Sequence, residues 1–155
     1  MNHAAPWDPF WVAQMVTSHH RLLGTQLAGP SAVGASASDL EWLYERAPFC
    51  LLAHDGGSDP RFVYANRTAQ RCFEYGWDEF VGLPSRLSAL PDGRAERAVL
   101  LASVARDGFA RGYRGLRVAK SGRRFWIEDV TVWNVFDPEG RPIGQAAVYE
   151  RTTAC

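Results

Sequence analysis

The 155-residue chain has no excess of either charge, with Lys plus Arg and Asp plus Glu numbering 17 each. Such a balance leaves no electrostatic footprint for nucleic acid or for an anionic membrane surface. Cysteine is scarce: Cys50, Cys72 and Cys155 are dispersed and form no C-x-x-C pair. An odd, scattered set points to a reducing compartment rather than to a disulfide framework. No apolar run approaches the roughly 20 residues of a membrane span; the longest, Ala98–Ala105, is far shorter. The first residues lack a charged segment followed by an apolar one, so no signal peptide is expected and the expected location is cytoplasmic.

Catalytic signatures are missing as well. There is no Gly-x-Ser-x-Gly nucleophile elbow and neither of the glycine-rich phosphate loops. The histidines, His3, His19, His20 and His54, show no metal-ligand spacing. Glu128 and Asp129 are adjacent, so on a strand they point to opposite faces and cannot serve as one acid–base pair. The expectation is a protein that is not an enzyme. A remote alternative stays open, a small-molecule isomerase or hydratase with Glu128 in a dry cavity and its pKa raised.

Aromatic surface is what the chain holds in quantity, with six Trp, five Tyr and eight Phe. These residues fill cores and also line pockets for flat ligands. Asp8-Pro9 places an N-cap and a first-turn proline. Phe10, Trp11, Val12, Met15, Val16, His19, Leu22 and Leu23 follow at helical spacing up to Gly24. Residues 29–38 contain only Gly, Pro, Ser, Ala and Val and read as a flexible connection. The division expected is therefore a helix and connection over 1–38, then one domain over 39–155.

Within that domain Asp39 caps a short helix through Glu45. Residues 49–54 and 62–65 form a hairpin around Asp55-Gly56-Gly57. Asn66 caps another short helix, Trp77–Val81 makes a further turn, and Arg94–Arg106 is a longer helix. Tyr113–Lys120, Phe125–Phe136 and Ile143–Tyr149 are strand candidates, joined by Ser121-Gly122 and by Asp137-Pro138-Glu139-Gly140. The expected fold is α+β: a five-stranded antiparallel sheet with helices on one face, plus the N-terminal helical extension.

This order resembles a PAS domain, on Tyr64-Ala65-Asn66, Trp77-Asp78-Glu79-Phe80-Val81-Gly82 and the ending from Ser121 to Gly144. A closer resemblance is to the MEKHLA family, a PAS-related group. It rests on Ser18-His19-His20-Arg21-Leu22-Leu23-Gly24, Ala47-Pro48-Phe49, Phe62-Val63-Tyr64-Ala65-Asn66-Arg67 and Gly82-Leu83-Pro84-Ser85-Arg86-Leu87-Ser88-Ala89. Later matches are Gly122-Arg123-Arg124-Phe125, Val132-Trp133-Asn134 and Gly144-Gln145-Ala146-Ala147. The resemblance implies a sensory or signalling module that binds an unidentified small ligand between sheet and helices. The alternative is a ligand-free dimerisation or protein-interaction module.

Light-sensing flavin PAS domains carry a cysteine in Gly-x-Asn-Cys-Arg, and the counterpart here is Gly82-Leu83-Pro84-Ser85-Arg86. A serine hydroxyl is a poor nucleophile for a flavin adduct, and the flavin-facing Gln falls at Tyr149. Haem PAS domains take an axial His from the long helix, and Arg94–Arg106 has none. Neither cysteinyl-flavin nor haem is expected. If Val130 and Val132 face the helices, Glu128 and Asn134 share that face, with Arg86 or Tyr64 as donors. Tyr64, Asn66, Ser85, Arg86, Glu128 and Asn134 are thus candidate ligand residues. An internal hydrogen-bond network without a ligand, or the opposite register, explains Glu128 and Asn134 equally. Trp133 then lies on the outer face, where Phe10, Trp11, Met15 and Leu22 cover it from the chain's own helix or from a second subunit. A homodimer is the expectation.

Overall fold

A computed structural model of the chain describes residues 9–24, 27, 37–90 and 94–155. The helices are α1 (Pro9–Leu23), α2 (Ala37–Glu45), α3 (Arg67–Phe73), α4 (Trp77–Phe80) and α5 (Arg94–Asp107). The strands are β1 (Cys50–Asp55), β2 (Phe62–Ala65), β3 (Phe109–Val118), β4 (Arg124–Phe136), β5 (Pro142–Tyr149) and β6 (Arg151–Ala154). Two starts differ from expectation. Helix α2 begins before Asp39, whose carboxylate sits in the first turn, where the helix dipole favours it. Strand β3 begins at Phe109, right after the left-handed Gly108 that ends α5. The cap at Asp8 and most of the 29–38 connection lie outside the described residues.

The sheet is antiparallel in the order β2-β1-β5-β4-β3. A sixth strand, unforeseen from the sequence, joins it: Arg151–Ala154 pairs with Glu128–Phe125 of β4. At 13 residues β4 outruns β5, and the chain beyond Glu150 supplies the missing partner along the same edge.

Helices α3, α4 and α5 cover one face, here called inner, over Leu52, Phe62, Phe125, Ile127, Val130, Val132 and Tyr149. The extension α1 and helix α2 cover the other, over Leu51, Ala53, Tyr64, Trp133, Val135 and Ala146. Strict alternation fails at several bulges, two of which bear on the candidate residues. In β4, Phe125 and Ile127 face inward before Asp129, and Val130 and Val132 after it. Asp129, in the left-handed region at φ 51°, is the extra residue that exchanges the faces. In β2 a shift between the Ala53–Tyr64 and His54–Phe62 pairs does the same.

Buried polar contacts tie the layers together. Asn66, wholly buried, accepts from the backbone N–H groups of Leu51 and Ala69 at 3.1 and 3.0 Å. Its amide nitrogen donates to the carbonyls of Leu43 and Phe49, both at 3.0 Å. On the outer face Trp133 Nε1 donates to the Met15 carbonyl at 3.1 Å, and the His19 ring stands edge-on to the indole. The Phe136 N–H donates to Ser18 Oγ at 3.0 Å.

The stripe of α1 is therefore covered by the chain's own sheet. Met15 and Trp133 are fully buried within one chain, which corrects their assignment to a subunit interface. Trp11 and Leu22 are half-buried against the same cluster, and Phe10 alone of the five is exposed. The cause is apolar area: an indole on a sheet face and an apolar helix on the same chain meet at high effective concentration.

Asn66→Ala strands two buried N–H groups and two carbonyls, and should cost about 3–5 kcal/mol in urea unfolding. Thr68 donates one bond to the Ala47 carbonyl and accepts one from the exposed Arg71 guanidinium, so Thr68→Ala should cost about 1 kcal/mol. Equal losses in the two variants would show that Asn66 does not hold the layers.

Candidate functional site

Ladder register arranges the inner face in rows across β1, β5 and β4. The middle row is apolar, Leu52 beside Ala147 and Ala147 beside Val132. One end row is polar, with His54 beside Gln145 and Gln145 beside Asn134. The other end places Cys50 beside Tyr149. Phe73 of α3 packs edge-on against Phe80 of α4 and Phe125 of β4, with ring centroids 5.4 and 5.3 Å away.

All three side chains of the polar row are half-buried. His54 Nδ1 lies 2.7 Å from the Asp55 carbonyl. A carbonyl only accepts, so Nδ1 carries the proton and Nε2 remains an acceptor. Burial pushes the imidazole pKa down, and Arg97 of α5 adds a smaller push in the same direction. Gln145 Nε2 donates to Asn134 Oδ1 at 3.3 Å, leaving one amide acceptor and one amide nitrogen in the row. Gly144 is required beside it, because a Cβ there would stand 2.1 Å from the His54 carbonyl oxygen. The row presents neutral donors and acceptors rather than a fixed charge.

The six residues singled out from the sequence do not converge. Asn134 alone joins the inner row. Glu128 lies on the outer side of the Asp129 bulge, correcting the shared face expected for it and Asn134. It binds Arg114 Nε at 2.8 Å and accepts from Thr153 Oγ1 at 2.8 Å. The Thr153 hydroxyl, then the Arg114 guanidinium, hold its carboxyl below the usual carboxylate range. An isomerase or hydratase base needs the opposite shift, so the remote enzymatic role of Glu128 has no physical support. Glu128 also borders a cleft of about 490 Å³ between α1 and the outer face, with His19, Phe49, Thr131, Val148 and Arg151.

Tyr64 points outward, because the β2 bulge turns it toward Tyr44 and Trp77, with ring centroids at 6.3 and 5.9 Å. Its hydroxyl is buried without a partner among the described residues, and burial pushes the phenol pKa up. Asn66 has its hydrogen-bonding capacity filled by backbone. Ser85 begins a short 3₁₀ turn, and Arg86 pairs with Asp59 of the hairpin loop at 3.1 Å, both exposed. Neither Arg86 nor Tyr64 reaches Glu128 as the expected donor. Among the described residues no group of three or more His, Cys, Asp or Glu is placed to hold a metal ion.

His54 and Gln145 were not chosen from the sequence. The available signal was equal spacing from the central pair: two residues beyond Leu52 on β1 and two before Ala147 on β5. Reading it required the register between strands.

The MEKHLA domain family model matches residues 10–154. Among solved structures, the PAS domain of a protein from Colwellia psychrerythraea superposes with TM-score 0.59 and 13% identity, covering 74% of this chain and 92% of that one. A light-oxygen-voltage domain studied with a flavin analogue gives 0.53 and 18%, covering 68% and 76%. An RNA-binding light-oxygen-voltage receptor gives 0.59 and 20%, covering 79% of this chain but 36% of that one. At these identities the likeness establishes a PAS-like fold. No curated protein sequence matches the chain.

Removing the unpartnered hydroxyl in Tyr64→Phe should raise stability by about 1 kcal/mol, read from urea unfolding; a loss would reveal a partner for it. The lowered pKa of His54 keeps the ring neutral in the folded chain, whereas the unfolded ring protonates near about 6.5. Its contribution is present above that value and lost as pH falls through the folded value. Between about pH 7.5 and about pH 5 wild-type stability should therefore drop more steeply than that of His54→Gln.

Proposed function

The chain belongs to the MEKHLA domain family, matching its model over residues 10–154, and on that premise we propose that it is a sensory module for a small, uncharged polar ligand. The ligand lies between the inner face of the sheet and α5, hydrogen-bonded by His54, Gln145 and Asn134. The observation that carries this reading is the polar row itself: three hydrogen-bonding side chains from three adjacent strands beside the apolar middle of the face. Helix α5 suits the role of a responsive cover. It buries Leu100 and Val104 against the sheet, while Val99 is 69% exposed and Leu101 48%. A ligand beneath it gains contacts with both layers, and its binding shifts the population of closed α5 in proportion to that difference.

A second reading, a ligand-free interaction module, draws support from the same exposed Val99 and Leu101, which a protein partner can cover. In both readings α1, docked through Trp133, makes the outer face part of the structure that carries the signal.

Native mass spectrometry of the chain purified from its own host should show a co-purifying small molecule, absent from Gln145→Leu. Adding back that molecule at about 100 times its Kd should stabilise the wild type by about 2.7 kcal/mol, with Gln145→Leu unmoved and α5 amides newly protected from exchange. A bare chain, together with no thermal shift from any neutral polar metabolite, would remove the ligand and leave the interaction module.

A further inference from the structure

The row opposite the polar one holds a second chemistry. Cys50, 5% exposed, sits beside Tyr149 in the ladder. Cys72, on α3 directly above, is half-buried, and its sulfur lies 3.5 Å from the Tyr149 hydroxyl. Cys72 packs against the core cluster that contains Cys50 and Tyr149, and the two thiols shift one another's pKa. Arg123 closes the group, its guanidinium donating to the Cys72 carbonyl at 2.7 Å. Two free thiols from different elements thus share one cluster around Tyr149, one enclosed and one half-buried.

We propose that Cys72 and Cys50 form a peroxide-responsive dithiol that closes to an intramolecular disulfide, pinning α3 to β1. The roles follow from their surroundings. Hydrogen bonding from Cys50, with help from Tyr149 and Arg123, brings the Cys72 pKa down to about 7, so a large share is thiolate near neutral pH. Cys50 is pushed up by its bond to Cys72 and by burial, so it stays a thiol until called on. In the first step the Cys72 sulfur attacks hydrogen peroxide and the O–O bond breaks. Hydroxide leaves, takes up the proton Cys72 had released, and departs as water, leaving a sulfenic acid. The Cys50 sulfur then attacks the Cys72 sulfur: the S–S bond forms and the S–O bond breaks. Hydroxide leaves with the Cys50 proton as a second water. Together the thiols give up two electrons and two protons, and one peroxide becomes two waters. The device is independent of the polar row, since it uses neither its residues nor a bound ligand.

The test uses the full chain carrying Cys155→Ser, which removes the exposed third thiol, with the wild type alongside. After hydrogen peroxide at neutral pH, alkylatable thiols should fall from two to none in the variant. Its mass should drop by two hydrogens, and digestion should release a Cys50–Cys72 linked peptide that dithiothreitol separates. The same linked peptide from the wild type supports the proposal without relying on any substitution. With Cys50→Ser added, Cys72 should stop at a sulfenic acid that dimedone traps. Two thiols still alkylatable after treatment, or Cys72 labelled by dimedone in the presence of a free Cys50, would overturn it.

Discussion

Asn66 is where the molecule's layers are joined, and its four hydrogen bonds are of a kind that only a carboxamide can make. A carboxylate has no donors for the Leu43 and Phe49 carbonyls, and an ammonium has no acceptor for the Leu51 and Ala69 N–H groups. One side chain thereby starts α3, anchors the first turns of β1, and fixes the end of α2 above them. With the hairpin set in this way, β5 is held against β1 by close approach at Gly144, and β4 against β5. Displacing Asn66 would leave buried backbone groups on three elements without partners, each costing about 1–3 kcal/mol.

The bulges in β2 and at Asp129 decide where Tyr64 and Glu128 point. Without the extra residue at Asp129, β4 would turn either its Phe125–Ile127 half or its Val130–Val132 half to the outer face. With it, one strand contributes apolar side chains to the inner layer along its whole length and still offers Trp133 and Val135 to α1. The same exchange sends Glu128 outward to Arg114 and Thr153 and leaves Asn134 inside. Placement of function is here a consequence of backbone geometry at one non-glycine residue in the left-handed region.

The inner face that results is graded along its length. Neutral hydrogen-bonding groups occupy one end, an apolar belt the middle, and two thiols with a phenol the other end. The aromatic wealth of the chain is divided between the layers. Phe73, Phe80 and Phe125 belong to the inner layer, and Tyr44, Tyr64, Trp77 and Trp133 lie on the outer side. Few charges enter either layer. The ion pairs, such as Arg86–Asp59 and Arg123–Glu74, are largely exposed and add little to stability.

The family resemblance, the run of helices and strands, the Asn66 cap and the outward position of Trp133 were legible in the amino-acid order. They depend on spacing along the chain, on turn chemistry and on side-chain type, all of which are local. The sixth strand was not, because Arg151–Ala154 has no apolar face of its own and is a strand only where β4 offers an edge. Nor were the sides taken by Glu128 and Tyr64, because a bulge adds a residue without leaving a pattern in composition. Register between strands, which the sequence does not carry, brings His54, Gln145 and Asn134 into one row and Cys50 under Cys72. Local chemistry determined the elements; packing of one strand against the next decided which of their residues meet.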